Sequence, residues 1–322
     1  MDDAARQTRT HLMALFQEHG VHPRTMFGQN FLIDLNIVEF IVRIAGLEGH
    51  VDETGPDGAS LGRPREHNRD VVLEIGAGTG GMTTFLATGA AEVVSVEIDR
   101  EMFAMAQRMT AGLENVTLLN CDALHNKNRF ADEVLDTLQE KLDSVDDARL
   151  KLVANLPYNV ATPIIGNLLA TELPWRRMVV TIQYELGLRL AAGPGSSHYG
   201  ALSVWAQSQA WVKLARKLPP TVFWPRPKVN SAVMKIDRDW KKQRTIDDRP
   251  FFHDYLRRVF QPRRKLIRGV LAGMYRKQIG KDAVYDLLDS LGRDANDRAE
   301  ALTVDEHIEL GNALFAAASV AS

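Results

Sequence analysis

From Asp70 onward, short β-branched and apolar runs alternate with stretches of helical period: Val71–Ile75, Glu92–Glu97, Val116–Leu119 and Lys151–Ala154. Repeated strand–helix units leave little besides a parallel sheet with helices on both faces, because parallel strands need a long crossover and cannot be joined by a tight turn. Further runs at Met178–Ile182, Val212–Leu218 and Ala232–Ile236 read as additional strands, the last two joined through Pro219, Pro220, Pro225 and Pro227. Ahead of the sheet, residues 6–19 and 34–47 carry apolar side chains at helical spacing, among them Ile37, Phe40, Ile41 and Ile44. Between these helices, His22 to Leu32 fits neither period and is expected to be a loop. After a charged linker, Arg238–Arg249, helical patterns cover 250–260, 264–278, 281–291 and 303–318. The expected fold class is α/β, with one domain over residues 1–240 and a small all-helical domain over 241–322. Asp52–Arg69, rich in Gly and Pro, and a helical stretch near 130–143 read as insertions, the first as a surface loop.

Composition excludes several classes. With 45% apolar and 25% charged residues among 322, the chain is neither disordered nor fibrous. Lys+Arg 39 against Asp+Glu 41 means that any polyanion-binding face must come from uneven distribution. A single cysteine, Cys121, cannot form an internal disulfide, no apolar run reaches membrane-spanning length, and the start lacks the pattern of a signal peptide. A cytoplasmic location without membrane contact is expected. The nine histidines show no metal-binding spacing, so no metal is expected; His19 and His22 read as surface residues and Cys121 as a small packed one.

Leu73-Glu74-Ile75-Gly76-Ala77-Gly78-Thr79-Gly80-Gly81 ends a predicted strand and opens a predicted helix. Glycines there allow a sharp turn and close approach of a ligand to the backbone. Gly76, Gly78 and Gly81 satisfy a loose GxGxxG, and Glu97 ends the next strand, where a carboxylate can accept bonds from ribose hydroxyls. NAD and S-adenosylmethionine both fit this pattern. Glu74 ahead of the first glycine is typical of the methyltransferase version, where it can organise the turn, and Asp122 past the third strand can accept a bond from an adenine amino group.

After the fourth strand comes Asn155-Leu156-Pro157-Tyr158. An adenine exocyclic amine is a weak nucleophile because its lone pair is delocalised into the ring. Two acceptors on its hydrogens turn it toward tetrahedral geometry, and the Asn155 side-chain oxygen and the Leu156 carbonyl can fill that role. Pro157 biases Leu156 toward extended backbone and stiffens the turn. Tyr158 offers a face for a splayed-out base.

These segments together resemble the small-subunit ribosomal RNA adenine dimethyltransferases of the KsgA type. The likeness runs in order through Phe27-Gly28-Gln29-Asn30-Phe31-Leu32, Leu73–Gly78, Glu97-Ile98-Asp99, Asp122-Ala123-Leu124, Asn155–Asn159 with Thr162-Pro163, and Tyr199-Gly200 with Leu202–Val204. It continues through Phe223-x-Pro225-x-Pro227-Lys228-Val229-x-Ser231 and Phe260-x-x-Arg263-Arg264-Lys265. The resemblance implies a seven-stranded Rossmann-like methyltransferase sheet with a helical carboxyl-terminal domain. It implies S-adenosylmethionine contacts from Asn30, Leu32, Gly76, Gly78, Glu97, Asp122 and Asn155, and Phe223 as a second aromatic wall opposite Tyr158. The implied target is a pair of adjacent adenines in a loop near the 3′ end of small-subunit ribosomal RNA, within an assembling particle. This chain departs from the family pattern at Tyr184, where lysine is usual, at Cys121, where glycine is usual, and at Pro262.

Between Phe251 and Gly280, Arg257, Arg258, Arg263, Arg264, Lys265, Arg268, Arg276 and Lys277 face only Asp254. Such a local excess neutralises phosphates and marks an RNA contact, which Arg24 can extend. Three rival readings remain at this point: a nicotinamide-dependent oxidoreductase, a non-catalytic RNA-binding assembly factor, and a large-subunit RNA adenine methyltransferase of the antibiotic-resistance type.

Overall fold

The computed structural model describes residues 9–18, 20–24, 28–47, 68–262, 264–294 and 296–320. All seven expected strands form one sheet: β1 (Asp70–Ile75), β2 (Glu92–Val96), β3 (Val116–Leu119), β4 (Arg149–Asn155), β5 (Trp175–Gln183), β6 (Ala210–Leu218) and β7 (Ser231–Arg238). Their order is β3-β2-β1-β4-β5-β7-β6. The pairs from β3 through β5 are parallel, and β7 runs antiparallel to β5. Every residue of β1 is buried, and so are the middles of β2, β4 and β5. Burial on both faces is why these strands read as continuous apolar runs rather than alternating ones.

The helices α1 (Arg9–Glu18), α2 (Leu35–Ala45), α3 (Gly81–Gly89), α4 (Arg100–Met109), α5 (Asp132–Asp143) and α6 (Ala161–Ala170) belong to the first compact unit. Asp34 caps α2 by accepting from the Asn36 N–H, and Gly46 ends it at φ +69°. Ile37, Ile41 and Val42 of α2 pack with Val72, Val93, Val153, Val179 and Val233 of the sheet. Leu12 and Phe16 of α1 pack with Met102 and Met105 of α4. The helix near 130–143 is no appendage: α5 buries Val134, Leu138 and Leu142 and packs against β1 and β2 as part of the β3-to-β4 crossover. The other apparent insertion, Asp52–Arg69, lies outside the described residues apart from Asn68 and Arg69.

Contact density divides the chain into residues 1–187 with 213–237, and 188–212 with 238–322. The second unit therefore takes in residues 188–212, which the boundary drawn at 240 leaves in the first. It is helical: α7 (Tyr184–Ala191) leads into it, followed by α8 (Ala201–Gln207), α9 (Trp240–Gln243), α10 (Arg249–Val259), α11 (Ile267–Tyr275), α12 (Lys281–Ser290) and α13 (Val304–Val320). Within this unit α10 packs against α8, α11 and α13. Gly311 allows the closest approach, since a Cβ there would lie 2.6 Å from the Phe252 ring. His307 is buried between the Tyr255 hydroxyl (2.8 Å) and the Ala299 carbonyl (2.9 Å), and burial lowers its pKa to about 4, so it packs as a neutral ring.

Candidate active site

The carboxyl ends of β1, β2 and β4 open on one cleft lined by the glycine turn, the Asn155–Tyr158 loop and the loop ahead of α2. Gly76, Gly78 and Gly80 adopt φ of +86°, +58° and +84°, which side-chain-bearing residues rarely reach. Space is short as well: a Cβ on Gly76 would lie 3.3 Å from Pro157, and one on Gly78 would lie 2.9 Å from the Phe31 ring. The turn is thus clasped between the Asn155–Tyr158 loop and the leading loop.

Glu97 anchors the turn. Its Oε2 accepts from the Gly78 N–H at 2.8 Å and its Oε1 from the Asp99 N–H at 2.9 Å. Burial raises its pKa against those two bonds. Each oxygen still has a lone pair for a ribose hydroxyl. Glu74 does not bond the turn; its Oε2 accepts from Thr83 of α3 and Ser95 of β2, each at 2.6 Å. Burial pushes its carboxyl up to about 7. Asp122 is exposed on the cleft and accepts from the Leu124 N–H at 2.9 Å with Oδ1, while Oδ2 has no partner among the described residues. The neighbouring Cys121 thiol is pushed up to about 11, first by burial and then by Glu133 and Asp122, so it stays protonated at neutral pH.

In the Asn155–Tyr158 loop, Asn155 Nδ2 donates to the Asn30 carbonyl at 2.7 Å. That bond fixes the amide, and Oδ1 accepts nothing among the described residues. The Leu156 N–H donates to the Thr181 carbonyl at 3.1 Å, which sets the peptide plane, while the Leu156 carbonyl takes no donor among the described residues. Asn155 and Leu156, the consecutive residues that carry these two acceptors, both line the cleft. Tyr158 is half-buried, and its hydroxyl is 2.6 Å from Ser231 Oγ at the start of β7. Burial raises its pKa, so the phenol remains neutral.

Asn30 and Leu32 line the cleft. Asn30 Nδ2 donates to the Gly28 carbonyl at 3.0 Å, and Gln29 bridges outward, donating to Asp99 at 3.0 Å and accepting from the Arg24 N–H at 2.7 Å. Arg24 pairs with Glu101 at 2.9 Å. Phe27 lies outside the described residues. Phe31 and Leu32 pair antiparallel with Trp224 and Phe223. This pairing corrects one expectation: Phe223 is 1% exposed, packs in the core with Ile37, Val38 and Leu218, and does not line the cleft. An apolar side chain on a two-residue ribbon is drawn under the sheet by α2, whatever its aromatic character. The contacts of Gln29, Phe31 and Ser231 are not legible in the sequence because each depends on a distant partner; the FGQNFL segment and the Ser two positions after Val229 are the available signals.

Of the basic cluster, Arg263 lies outside the described residues. Arg257 and Arg258 pair with Asp254 at 2.9 and 3.3 Å, and Arg268 stacks 3.7 Å from the Tyr285 ring centre. Arg264 and Lys265 are exposed and their side chains take no partner among the described residues. At the departure Tyr184, Lys217 Nζ lies 4.6 Å from the ring centre, so a cation remains at that surface. Among the described residues, no group of three His, Cys, Asp or Glu side chains could hold a metal, and no helix is long and apolar enough to cross a membrane.

The family model for ribosomal RNA adenine dimethylase matches residues 20–305. The chain is 36% identical over 315 residues, covering 98% of its length and 99% of the relative's, to a ribosomal RNA small subunit methyltransferase A from Moorella thermoacetica. It is 35% identical over 315 residues, with 98% of both chains covered, to one from Bacillus cytotoxicus. In fold it is similar to the crystal structure of a dimethyladenosine transferase from Plasmodium falciparum, with TM-score 0.67, 21% identity, and 86% of this chain and 94% of that one covered. It also resembles the 23S rRNA methyltransferase ErmE, with TM-score 0.56, 20% identity, and 89% and 100% covered.

Proposed function

The chain belongs to the ribosomal RNA adenine dimethylase family, and from that premise we propose that it methylates the exocyclic N6 of two adjacent adenines near the 3′ end of small-subunit ribosomal RNA, yielding N6,N6-dimethyladenosines. The observation that carries this reading is the pair of fixed acceptors, Asn155 Oδ1 and the Leu156 carbonyl, next to a glycine turn closed by a buried carboxylate. These residues fit S-adenosylmethionine. A Cβ on Gly78 would overlap the Phe31 ring and one on Gly76 would press on Pro157, Glu97 retains lone pairs for ribose hydroxyls, and the free oxygen of Asp122 suits an adenine amine. When bound, that cofactor supplies an electrophilic methyl on a sulfonium.

A target adenine must leave its stack to reach the cleft. Tyr158, held through Ser231, presents a preset ring for it, and such stacking contributes roughly 1–3 kcal/mol. Asn155 and Leu156 accept the two N6 hydrogens and aim the nitrogen lone pair. With a methyl donor bound, this placement would let N6 take the methyl, and the proton then shed by N6 would pass to water. No strong base is needed, since the alkylated amine is acidic; placement supplies the catalysis. In the second round one hydrogen remains, and one of the two acceptors holds it.

The basic residues Arg257, Arg258, Arg264, Lys265 and Arg268, with Arg263, serve as phosphate contacts for RNA in a small ribosomal subunit under assembly in the cytoplasm. The nicotinamide reading loses its support, because the family and the Asn155–Tyr158 loop both speak for methyl transfer. The test is nucleoside mass spectrometry of methyl-free small subunits and large subunits after incubation with the protein and S-adenosylmethionine. Dimethyladenosine at two adjacent small-subunit positions is the expected result; modification of large-subunit RNA alone would refute the target.

A further inference from the structure

Of the five tryptophans, Trp175 and Trp205 are buried and Trp224 packs against Phe16 and Phe31, but Trp211 and Trp240 are 45% and 41% exposed. Both belong to one patch of the carboxyl-terminal unit, where the start of β6 meets the segment after β7. The Asp239 N–H donates to the Gln209 carbonyl at 2.9 Å, and Lys242 Nζ lies 3.8 Å from the centre of the Trp211 ring. The Arg238 guanidinium lies 3.5 Å from the centre of the Trp240 ring and donates to Gln243 Oε1 at 2.7 and 3.1 Å. Gln243 in turn donates to Gln209 Oε1 at 3.1 Å. Each ring thus carries a cation on one face, so its remaining exposure belongs to the opposite face and the edge.

Charge surrounds the two rings unevenly. From Arg238 to Arg244, Arg238, Lys241, Lys242 and Arg244 are set against Asp239 alone, and the Asp239 carboxylate is already engaged by the Lys241 and Lys242 N–H groups at the start of α9. Lys241 and Arg244 are exposed. Exposed aromatic rings beside Lys241, Lys242 and Arg244 match the chemistry of single-stranded nucleic acid, with bases on the rings and phosphates on the cations. An ordinary protein-binding core is instead depleted of charge.

We propose that Trp211 and Trp240 form an RNA contact separate from the methyl-transfer cleft and from the Arg257–Arg268 segment, stacking an unpaired base while Lys241, Lys242 and Arg244 hold adjoining phosphates. The cations on the rings fix the side chains beforehand, so little freedom is lost when a base arrives. The proposal rests on the reading that ribosomal RNA is the substrate.

The experiment compares the full-length protein with Trp211→Ala/Trp240→Ala, Trp211→Phe/Trp240→Phe and Lys241→Glu/Arg244→Glu variants. Affinity is measured for protein-free small-subunit RNA and for whole small subunits, alongside melting temperature and S-adenosylmethionine affinity. The alanine pair should weaken RNA binding about tenfold or more and raise the KM for RNA in step, with kcat and cofactor affinity unchanged. The phenylalanine pair should lose less than about threefold. The glutamate pair should weaken RNA binding and flatten its salt dependence, and it decides the matter if the alanine pair does not fold. Unchanged RNA affinity in a folded variant overturns the proposal. Loss of affinity for whole subunits alone also overturns it, by assigning the patch to a ribosomal protein. Failure of the parent protein to methylate small-subunit RNA would overturn the reading of the cleft instead, and the binding comparison would still decide the patch.

Discussion

The methyl-transfer cleft and the basic helical segment use their residues in opposite ways. In the cleft each residue answers one geometric demand: Gly76 and Gly78 take positive φ under Pro157 and Phe31, and Asn155 is oriented by a single carbonyl. In the helical segment the cations are partly interchangeable. Arg257 and Arg258 share Asp254 and Arg268 lies on Tyr285, which leaves Arg264 and Lys265 the least engaged. A site built on backbone geometry concentrates its function in a few irreplaceable positions, whereas a site built on charge spreads it over many.

That contrast breaks most sharply at the glycine turn. Gly76→Val forces a β-branched residue to φ +86° against Pro157 and should lower cofactor affinity and methyl transfer about a hundredfold, measured by calorimetry and single-turnover transfer. A loss below about threefold would mean the turn is less constrained than its contacts indicate.

Glu74 sharpens the comparison through stability. Its carboxyl titrates near 7 in the fold, above the value of an exposed glutamate, so the folded state holds a proton that the unfolded chain gives up earlier. Stability from this group is present at low pH, falls as pH rises from about 4.5 to 7, and then levels off. The shift corresponds to about 3 kcal/mol. Glu74→Gln can still accept from Thr83 and Ser95. It should melt higher than the parent at pH 8 and flatten the pH dependence between 5 and 7 by about that amount. An equal slope in both proteins would contradict a proton held at Glu74.

Tyr158→Ala should raise the KM for RNA about tenfold to a hundredfold, while Tyr158→Phe, which keeps the ring and loses only the Ser231 bond, should change it less than about fivefold. Equal effects from the two would show that the hydroxyl rather than the face matters. The smallest effects belong to the basic segment. Removing Arg264 or Lys265 should lower the slope of log affinity against log salt by about one, and removing Arg257, already paired with Asp254, by less.

The same contrast explains what the sequence could convey. The strands β1, β2, β4 and β5 are legible because burial on both faces leaves nearly unbroken apolar runs. The glycine turn and the Asn155–Tyr158 loop were legible because few residue types satisfy their backbone. The 31–32 and 223–224 ribbon was not, since two residues carry no period and their pairing spans most of the chain. Phe223 is equally apolar as a wall or as core, and only the packing of α2 decides. The helix at 132–143 looked inserted until its apolar face met β1 and β2, and residues 188–212 joined the second unit through contacts no local pattern reveals.

Asn155→Ala tests the central claim most directly, because the amide's Nδ2 is held by Asn30 while its oxygen takes no donor among the described residues. With S-adenosylmethionine saturating and the protein in excess over methyl-free small subunits, single-turnover transfer should fall about a hundredfold or more while the melting temperature and RNA affinity stay near those of the parent. Transfer within about threefold of the parent would contradict the account.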